Sequence, residues 1–353
     1  MFTKFTKIKD YKSIIRDVIH STRYIGLNES GEPIYDNEKE LPTLTFTGTI
    51  KLHGTNASIV RSPSGDIHFQ SRREIITPEK DNAGFAFFGK SHESIFNEYF
   101  DRIKIKYWKD LSDNHIAIFG EWCGGNIQKG VAISGLPKMF VIFAVKISLD
   151  IGGEVYSEYI PKQYWKDLRS PENNIYNIYD FKTYSIDIDF NRPKEFINTL
   201  VDYTMEVENK CPVGEYFGRG INEGDNITGE GIVWETWYKG DRFIFKTKGE
   251  KHSSSKVKKI VSIDAEKLNS INEFVNYAVT ENRLNQAIEQ VFTIRSIEPE
   301  KRYTGDFIKW IHNDIIEEES DVLNANGLEP NDVNKEISIK ARNWFFKYLD
   351  YLI

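Results

Sequence analysis

Cysteine is scarce in this chain. There are two, Cys123 and Cys211, far apart and in no Cys-x-x-Cys or Cys/His ligand spacing. A disulfide framework and a structural zinc are therefore not expected, and a reducing, cytoplasmic compartment is. Long apolar runs are also missing, so no membrane span is expected. The residues from Met1 to Lys7 lead into no apolar core, so no secretory signal is expected. Net positive charge is lacking as well. Forty-six Lys and Arg face 53 Asp and Glu, a formal net charge of −7. Such a chain can bind nucleic acid only through a local basic patch. Internal repeats and low-complexity tracts are absent.

What is present is a sizeable core in two parts. At 353 residues the chain exceeds one ordinary core, so two domains are expected. A hydrophobic content of 40% excludes wholesale disorder. Tyr11 to His20 reads as a short helix and Asn28 to Glu40 as loop. From Thr43 the pattern alternates: Leu44, Phe46, Gly48 and Ile50 share one face, and Thr43, Thr45, Thr47 and Thr49 the other. Lys51 continues the threonine face, away from the apolar layer. Ala57–Arg61 and Ile67–Ser71 read as a hairpin, and Ser91–Trp108 as a helix. His115–Trp122 and Met139–Ile147 read as strands, and the region near Lys194–Tyr203 as a helix. Gly231–Trp237 and Arg242–Lys248 form a second expected hairpin. After Lys259 the spacing becomes helical, through Ile271, Phe274, Val275 and Ala278 to Ile339–Leu352. The expected division is 1–250, a basic Gly/Ser-rich linker at 251–262, and a helical part at 263–353.

Five segments carry chemistry. Lys51-Leu52-His53-Gly54-Thr55-Asn56 places an amine at a strand end before a small, turn-prone loop. An amine becomes a nucleophile once neighbouring cations and desolvation lower its pKa. Taken alone, such a lysine is more often a surface residue. Phe119-Gly120-Glu121-Trp122 puts a carboxylate at a strand end, fit for a ribose hydroxyl or a metal, or simply an edge glutamate. Met139 to Val145 is core by composition, although Phe143 could stack on a purine. Glu230, before Gly231-Ile232-Val233, suits a metal or a turn equally. Lys246 and Lys248 share one face of Phe243–Lys248, opposite Phe243 and Phe245. Two adjacent cations call for an anion between them, such as a triphosphate, and would lower the pKa of a nearby lysine.

The order of these five segments resembles that of the covalent nucleotidyltransferases: DNA ligases, RNA ligases and mRNA capping enzymes. Lys-x-His-Gly-Thr-Asn resembles the RNA ligase 2 family in particular, the phage-type enzymes that seal nicks in duplex RNA. Ser71-Arg72-Arg73, Phe87-Phe88-Gly89 ahead of a helix, and Val275 to Leu284 in the helical tail extend the resemblance almost end to end.

The resemblance implies an α+β fold, with an N-terminal nucleotidyltransferase domain of ATP-grasp-like antiparallel sheets and helices, and an all-helical C-terminal domain. It implies ATP and Mg²⁺ or Mn²⁺ as cofactors. The implied partner is RNA with 3′-hydroxyl and 5′-phosphate ends, bound by a monomer with no membrane involvement. Lys51 would become the lysyl-AMP. The Ile50 carbonyl would meet the adenine amino group, Phe143 would stack on the ring, Glu121 would bind the ribose, and Asn56 would lie beside the nucleotide. Glu230 would bind metal, and Lys246 and Lys248 the phosphates. Arg72 would serve the AMP phosphate and the RNA ends, with Thr55, Asn56, Phe87 and Phe88 on the RNA. His53 would orient the loop or a phosphate. Lys246, Lys248, Lys251, Lys256, Lys258 and Lys259 would form a local basic patch for the duplex. Departures are Glu235 where a lysine is frequent, Ala144 where an acid is common, and a short hairpin before Lys246. Alternatives are a catalytically silent duplex-RNA sensor and a ligase for single-stranded or tRNA breaks.

Overall fold

The computed structural model describes residues 1–107, 109–222, 224–249, 271–293, 295, 297–325 and 328–351. The expected linker, with Lys251, Lys256, Lys258 and Lys259, lies outside them. The first helix, α1 (Tyr11–Arg23), starts where the Asp10 carboxylate accepts the Ser13 N–H at 2.6 Å. A small hairpin follows, β1 (Tyr24–Leu27) with β2 (Pro33–Tyr35). The second strand falls inside the segment expected as loop. Asn28 is the reason. Its side-chain oxygen accepts the N–H groups of Ser30 at 2.9 Å and Glu32 at 2.8 Å, folding the chain back on itself.

Next come β3 (Thr43–Lys51), β4 (Thr55–Arg61), β5 (Ile67–Ser71) and β6 (Ile75–Ile76), then α2 (Phe85–Ser91) and α3 (Glu93–Lys106). Phe87-Phe88-Gly89 precedes α3, as expected, and itself lies within the short helix α2. Gly89 is needed there because an added Cβ would meet the Phe69 ring at 2.4 Å. β7 (His115–Cys123), β8 (Met139–Ile151), β9 (Glu154–Ile160), β10 (Ile175–Asn177) and β11 (Tyr184–Asp189) precede α4 (Ile197–Asn209) and α5 (Pro212–Tyr216). The chain then enters the hairpin β12 (Gly231–Tyr238) and β13 (Asp241–Lys248). Both expected hairpins are formed, with Ala57 opposite Ser71 and Val233 opposite Lys246.

Among the described residues the strands make two main sheets. One has four strands in the order β11-β3-β12-β13, all antiparallel. The other has seven, with β8, β7, β4 and β5 as its centre. Period-two alternation gives each sheet two unlike faces. Leu44, Phe46, Ile50, Ile232, Trp234, Phe243 and Phe245 turn to one core, which Ile14 and Val18 of α1 and Leu200 and Val207 of α4 complete. The seven-stranded sheet buries Ile59, Ile118, Phe140 and Ile142 beneath Phe85 of α2 and Phe96 and Phe100 of α3. The opposite face of the four-stranded sheet carries Thr47, Thr49 and Lys51 and is left for the cleft.

The tail is helical, as its spacing predicts. α6 (Ile271–Ala278), α7 (Glu281–Ile288), α8 (Thr304–Ala325) and α9 (Pro330–Tyr351) share a separate core of Phe274, Leu284, Phe307, Ile311, Ile337 and Phe345. Among the described residues no helix is long and apolar enough to cross a membrane.

Candidate active site

Lys51 is the last residue of β3, and Thr55 opens β4. Those strands belong to different sheets. Leu52-His53-Gly54 therefore crosses from one sheet to the other and closes one end of the cleft between them. Gly54 fits where no side chain can. A Cβ there would lie 2.4 Å from the Trp122 carbonyl oxygen and 2.7 Å from Cys123 Cβ. Gly231 is equally constrained, with φ of +152° and an added Cβ 2.1 Å from the Thr247 carbonyl oxygen.

Strand register lines up the functional side chains. Lys51 pairs with Gly231, and Gly231 with Lys248. Val233 lies between Thr49 and Lys246. The cleft face thus carries an amine row of Lys51, Lys248 and Lys246 at one end. Val233 sits level with Lys246, and the far end carries Ile244, Glu235 and Arg242. Across the cleft, Glu121 of β7 sits opposite Asn56 of β4. Phe143 enters through a bulge: Phe119 faces Ala144 and Gly120 faces Ile142, leaving Phe143 as the extra residue. Its ring meets Phe5 edge-on, with centroids 5.2 Å apart. The whole cleft has a volume of about 540 Å³.

Glu230 is the electrostatic centre. It is buried, at 4% exposure, with three cationic or ionisable neighbours. Its Oε1 lies 2.6 Å from Lys51 Nζ and 3.5 Å from Lys248 Nζ, and its Oε2 is 3.2 Å from His53 Nδ1. Burial alone would raise this carboxyl, but Lys51, Lys248 and His53 hold it well below its ordinary range. Glu121 behaves oppositely. Burial, helped by the charge on Glu230, pushes it up to about 7 against the pull of Lys51. Lys246 and Lys248 are both lowered, chiefly by burial and then by neighbouring cations, while Glu230 partly offsets the effect at Lys248. Among the described residues no group of three or more His, Cys, Asp or Glu could cage a metal. An ionised Glu230 suits a hard divalent cation that takes its other ligands from substrate and water.

Most of the expected site residues line this one cleft: Ile50, Lys51, His53, Thr55, Asn56, Arg72, Glu121, Phe143, Glu230, Lys246 and Lys248. The Ile50 side chain is buried and its backbone pairs with Ile232. Thr55 accepts a hydrogen bond from Asn82 at 3.0 Å. Phe87 and Phe88 are not among the cleft-lining residues. Phe87 is 67% exposed, whereas the Phe88 ring packs on Trp122 at 4.7 Å. The Trp122 contact keeps the Phe88 ring part-buried and engaged in packing.

The departures acquire physical reasons. Glu235 lies 2.5 Å from Arg242 and accepts from Trp237 Nε1 at 3.0 Å. Arg242 lies over the Tyr159 ring at 4.3 Å. Position 235 is thus tied into a local network. Ala144 is buried among Val60, Ala117 and Phe119, where an acid would be stranded. Arg242 was not singled out in the sequence, although its spacing from Lys246 and Lys248 puts it on their face. Glu317 and Glu318 of α8 also line the cleft, and no motif announced them.

Residues 44–248 match the family model for RNA ligase. The chain belongs to the RNA ligase family. The match ends at Lys248, so it covers the two-sheet part that holds the amine row and stops short of the helical tail. No curated protein matches the chain. Among solved structures, an RNA ligase of Naegleria gruberi with pyrophosphate is 15% identical, with a TM-score of 0.41. A variant of that ligase with ATP and manganese is 15% identical at 0.39, and one with AMP and manganese is 14% identical at 0.41. Each similarity covers 71% of this chain and 57% of the other, so the chain spans less than two thirds of those proteins.

Proposed function

We propose that this chain is an ATP-dependent RNA ligase that works through a lysyl-AMP at Lys51. It would join 3′-hydroxyl and 5′-phosphate ends, with nicks in duplex RNA as its substrate. The observation that carries this reading is the convergence on Glu230. One buried carboxylate holds Lys51 and Lys248 together, on the strand face that also presents Lys246. That is a nucleophile beside an anion site.

Three phosphoryl transfers follow. The Lys51 amine, once its proton has left to solvent, attacks the α-phosphorus of ATP. A P–N bond forms, the bond to the β-phosphate oxygen breaks, and pyrophosphate leaves. The RNA 5′-phosphate oxygen then attacks the AMP phosphorus, and the Lys51 amine leaves. Finally the RNA 3′-hydroxyl loses its proton, attacks the adenylylated 5′-phosphate and expels AMP. Each step gathers negative charge on non-bridging oxygens. Lys246 and Lys248 supply a fixed positive field for that charge. Phe143 and Val233 line the cleft from opposite sheets and would offer apolar surface to a purine ring. Glu121, across from Asn56, would accept from a ribose hydroxyl. A divalent cation held by Glu230 would add further charge stabilisation at the phosphates.

Sealing of a labelled RNA strand tests the substrate assignment. Nicked duplex RNA, single-stranded RNA and a broken tRNA stem-loop are offered in competition with ATP and Mg²⁺. Preferred sealing of the nick is expected. Preferred sealing of the single strand or the tRNA break would replace the duplex assignment, and no sealing of any would refute ligase activity on RNA.

A further inference from the structure

Helix α8 contains three consecutive acids, Glu317-Glu318-Glu319, and they do not form one solvated edge. Glu319 turns inward, 2.8 Å from Arg283 and accepting from the Tyr277 hydroxyl at 3.0 Å. Glu317 and Glu318 turn to the cleft. Glu317 lies 3.0 Å from Arg72, and Glu318 lies 3.3 Å from Arg72 and is also paired with Lys246. Lys246 and Glu318 are both more than four-fifths buried, so this is a desolvated contact and not a surface pair. Lys7, at the cleft rim, donates to Ser320 Oγ of the same helix at 2.7 Å. Lys246 is a cation that the proposed function assigns to phosphates, and Arg72 is one that the family resemblance assigns to them. A carboxylate is the side chain that most resembles a phosphate oxyanion, and a guanidinium fork binds either.

We propose that Glu317 and Glu318 are an autoinhibitory phosphate mimic: they hold the helical part closed over the cleft, and incoming phosphate displaces them. The inference rests on the phosphate assignment of Arg72 and Lys246 made above. Arg72 and Lys246 cannot give the same hydrogen bonds to both anions. Docking of α8 and binding of phosphate are therefore linked and mutually weakening. The helical part must swing away from Lys246 before phosphate fills the site.

The test is calorimetric binding of inorganic pyrophosphate to the full chain, after pyrophosphate treatment and dialysis to strip any AMP. The wild type is compared with Glu317→Gln/Glu318→Gln, in which the shape is kept and the charge removed. Tighter binding by the double variant, by about tenfold, is expected. Glu317→Gln alone should shift affinity in the same direction by less, and it carries the test if the double variant does not fold. Equal affinity in wild type and variants would overturn the proposal. Weaker binding in the variants would also overturn it, since the carboxylates would then serve the bound state. The two readings fail separately. Tighter variant binding without any lysyl-AMP would sink the ligase reading and leave the mimic standing, whereas lysyl-AMP with unchanged binding would do the reverse.

Discussion

Lys51 Nζ and Glu230 Oε1 lie 2.6 Å apart, although β3 and β12 bring them together from opposite ends of the two-sheet part. The carboxylate is buried and the amine lines the cleft. This pair fixes where the Lys51 amine, the proposed nucleophile, points. His53 and Lys248 share the same carboxylate, so the four residues behave as one unit.

Glu230→Gln leaves Lys51 and Lys248 without their common counter-charge. Lysyl-AMP formation is expected to fall on the order of 100-fold or more. A pH signature should accompany it. The folded carboxyl is held well below its ordinary 4.5, so the stability it contributes is full above 4.5. That contribution is lost as pH falls through the lower folded value. Denaturation of wild type and variant across the acid range should show a steeper acid loss in the wild type. Parallel profiles would contradict the electrostatic role.

Glu121 predicts the opposite slope. Its folded carboxyl is pushed up to about 7 from 4.5, so between those values the folded state holds a proton that the unfolded chain has released. Stability should therefore decline as pH rises from about 4.5 to about 7 and level off above. Glu121→Gln should flatten this decline in urea denaturation midpoints. An unchanged slope would show that another group titrates there.

Phe143 reaches the cleft only because of the β8 bulge. Its removal should act on nucleotide binding more than on turnover. In Phe143→Ala the ATP concentration for half-maximal adenylylation is expected to rise about tenfold, as for loss of one base–aromatic stack. Phe143→Tyr should stay near the wild type. Equal losses in both variants would indicate damage to packing on Phe5 instead.

Much of this site was legible in the sequence because strands repeat every two residues. Alternation from Thr43 put Lys51 on the polar face, and alternation from Phe243 put Lys246 and Lys248 together; the register of β3, β12 and β13 then joined the two sets. Helical spacing likewise gave the tail. Register itself is not written in a single strand, so the Phe143 bulge and the pairing of Glu121 with Asn56 were out of reach. The His53–Glu230 contact spans 177 residues, and no local pattern in the sequence announces it. Asn28 concealed the β1–β2 hairpin inside a polar stretch. The acids of α8 carried no signal in the sequence, because helical periodicity says nothing about a partner across a cleft. Only the contacts of Glu317 and Glu318 with Arg72 and Lys246 give them meaning.

The most direct measurement is intact mass after incubation with ATP and Mg²⁺, for the wild type and Lys51→Ala, with pyrophosphate treatment beforehand to clear any AMP already attached. An AMP-sized increase in the wild type and none in the variant is the predicted result. An adduct that persists in Lys51→Ala, or a wild type that never acquires one, would contradict the assignment of Lys51 as the covalent nucleophile.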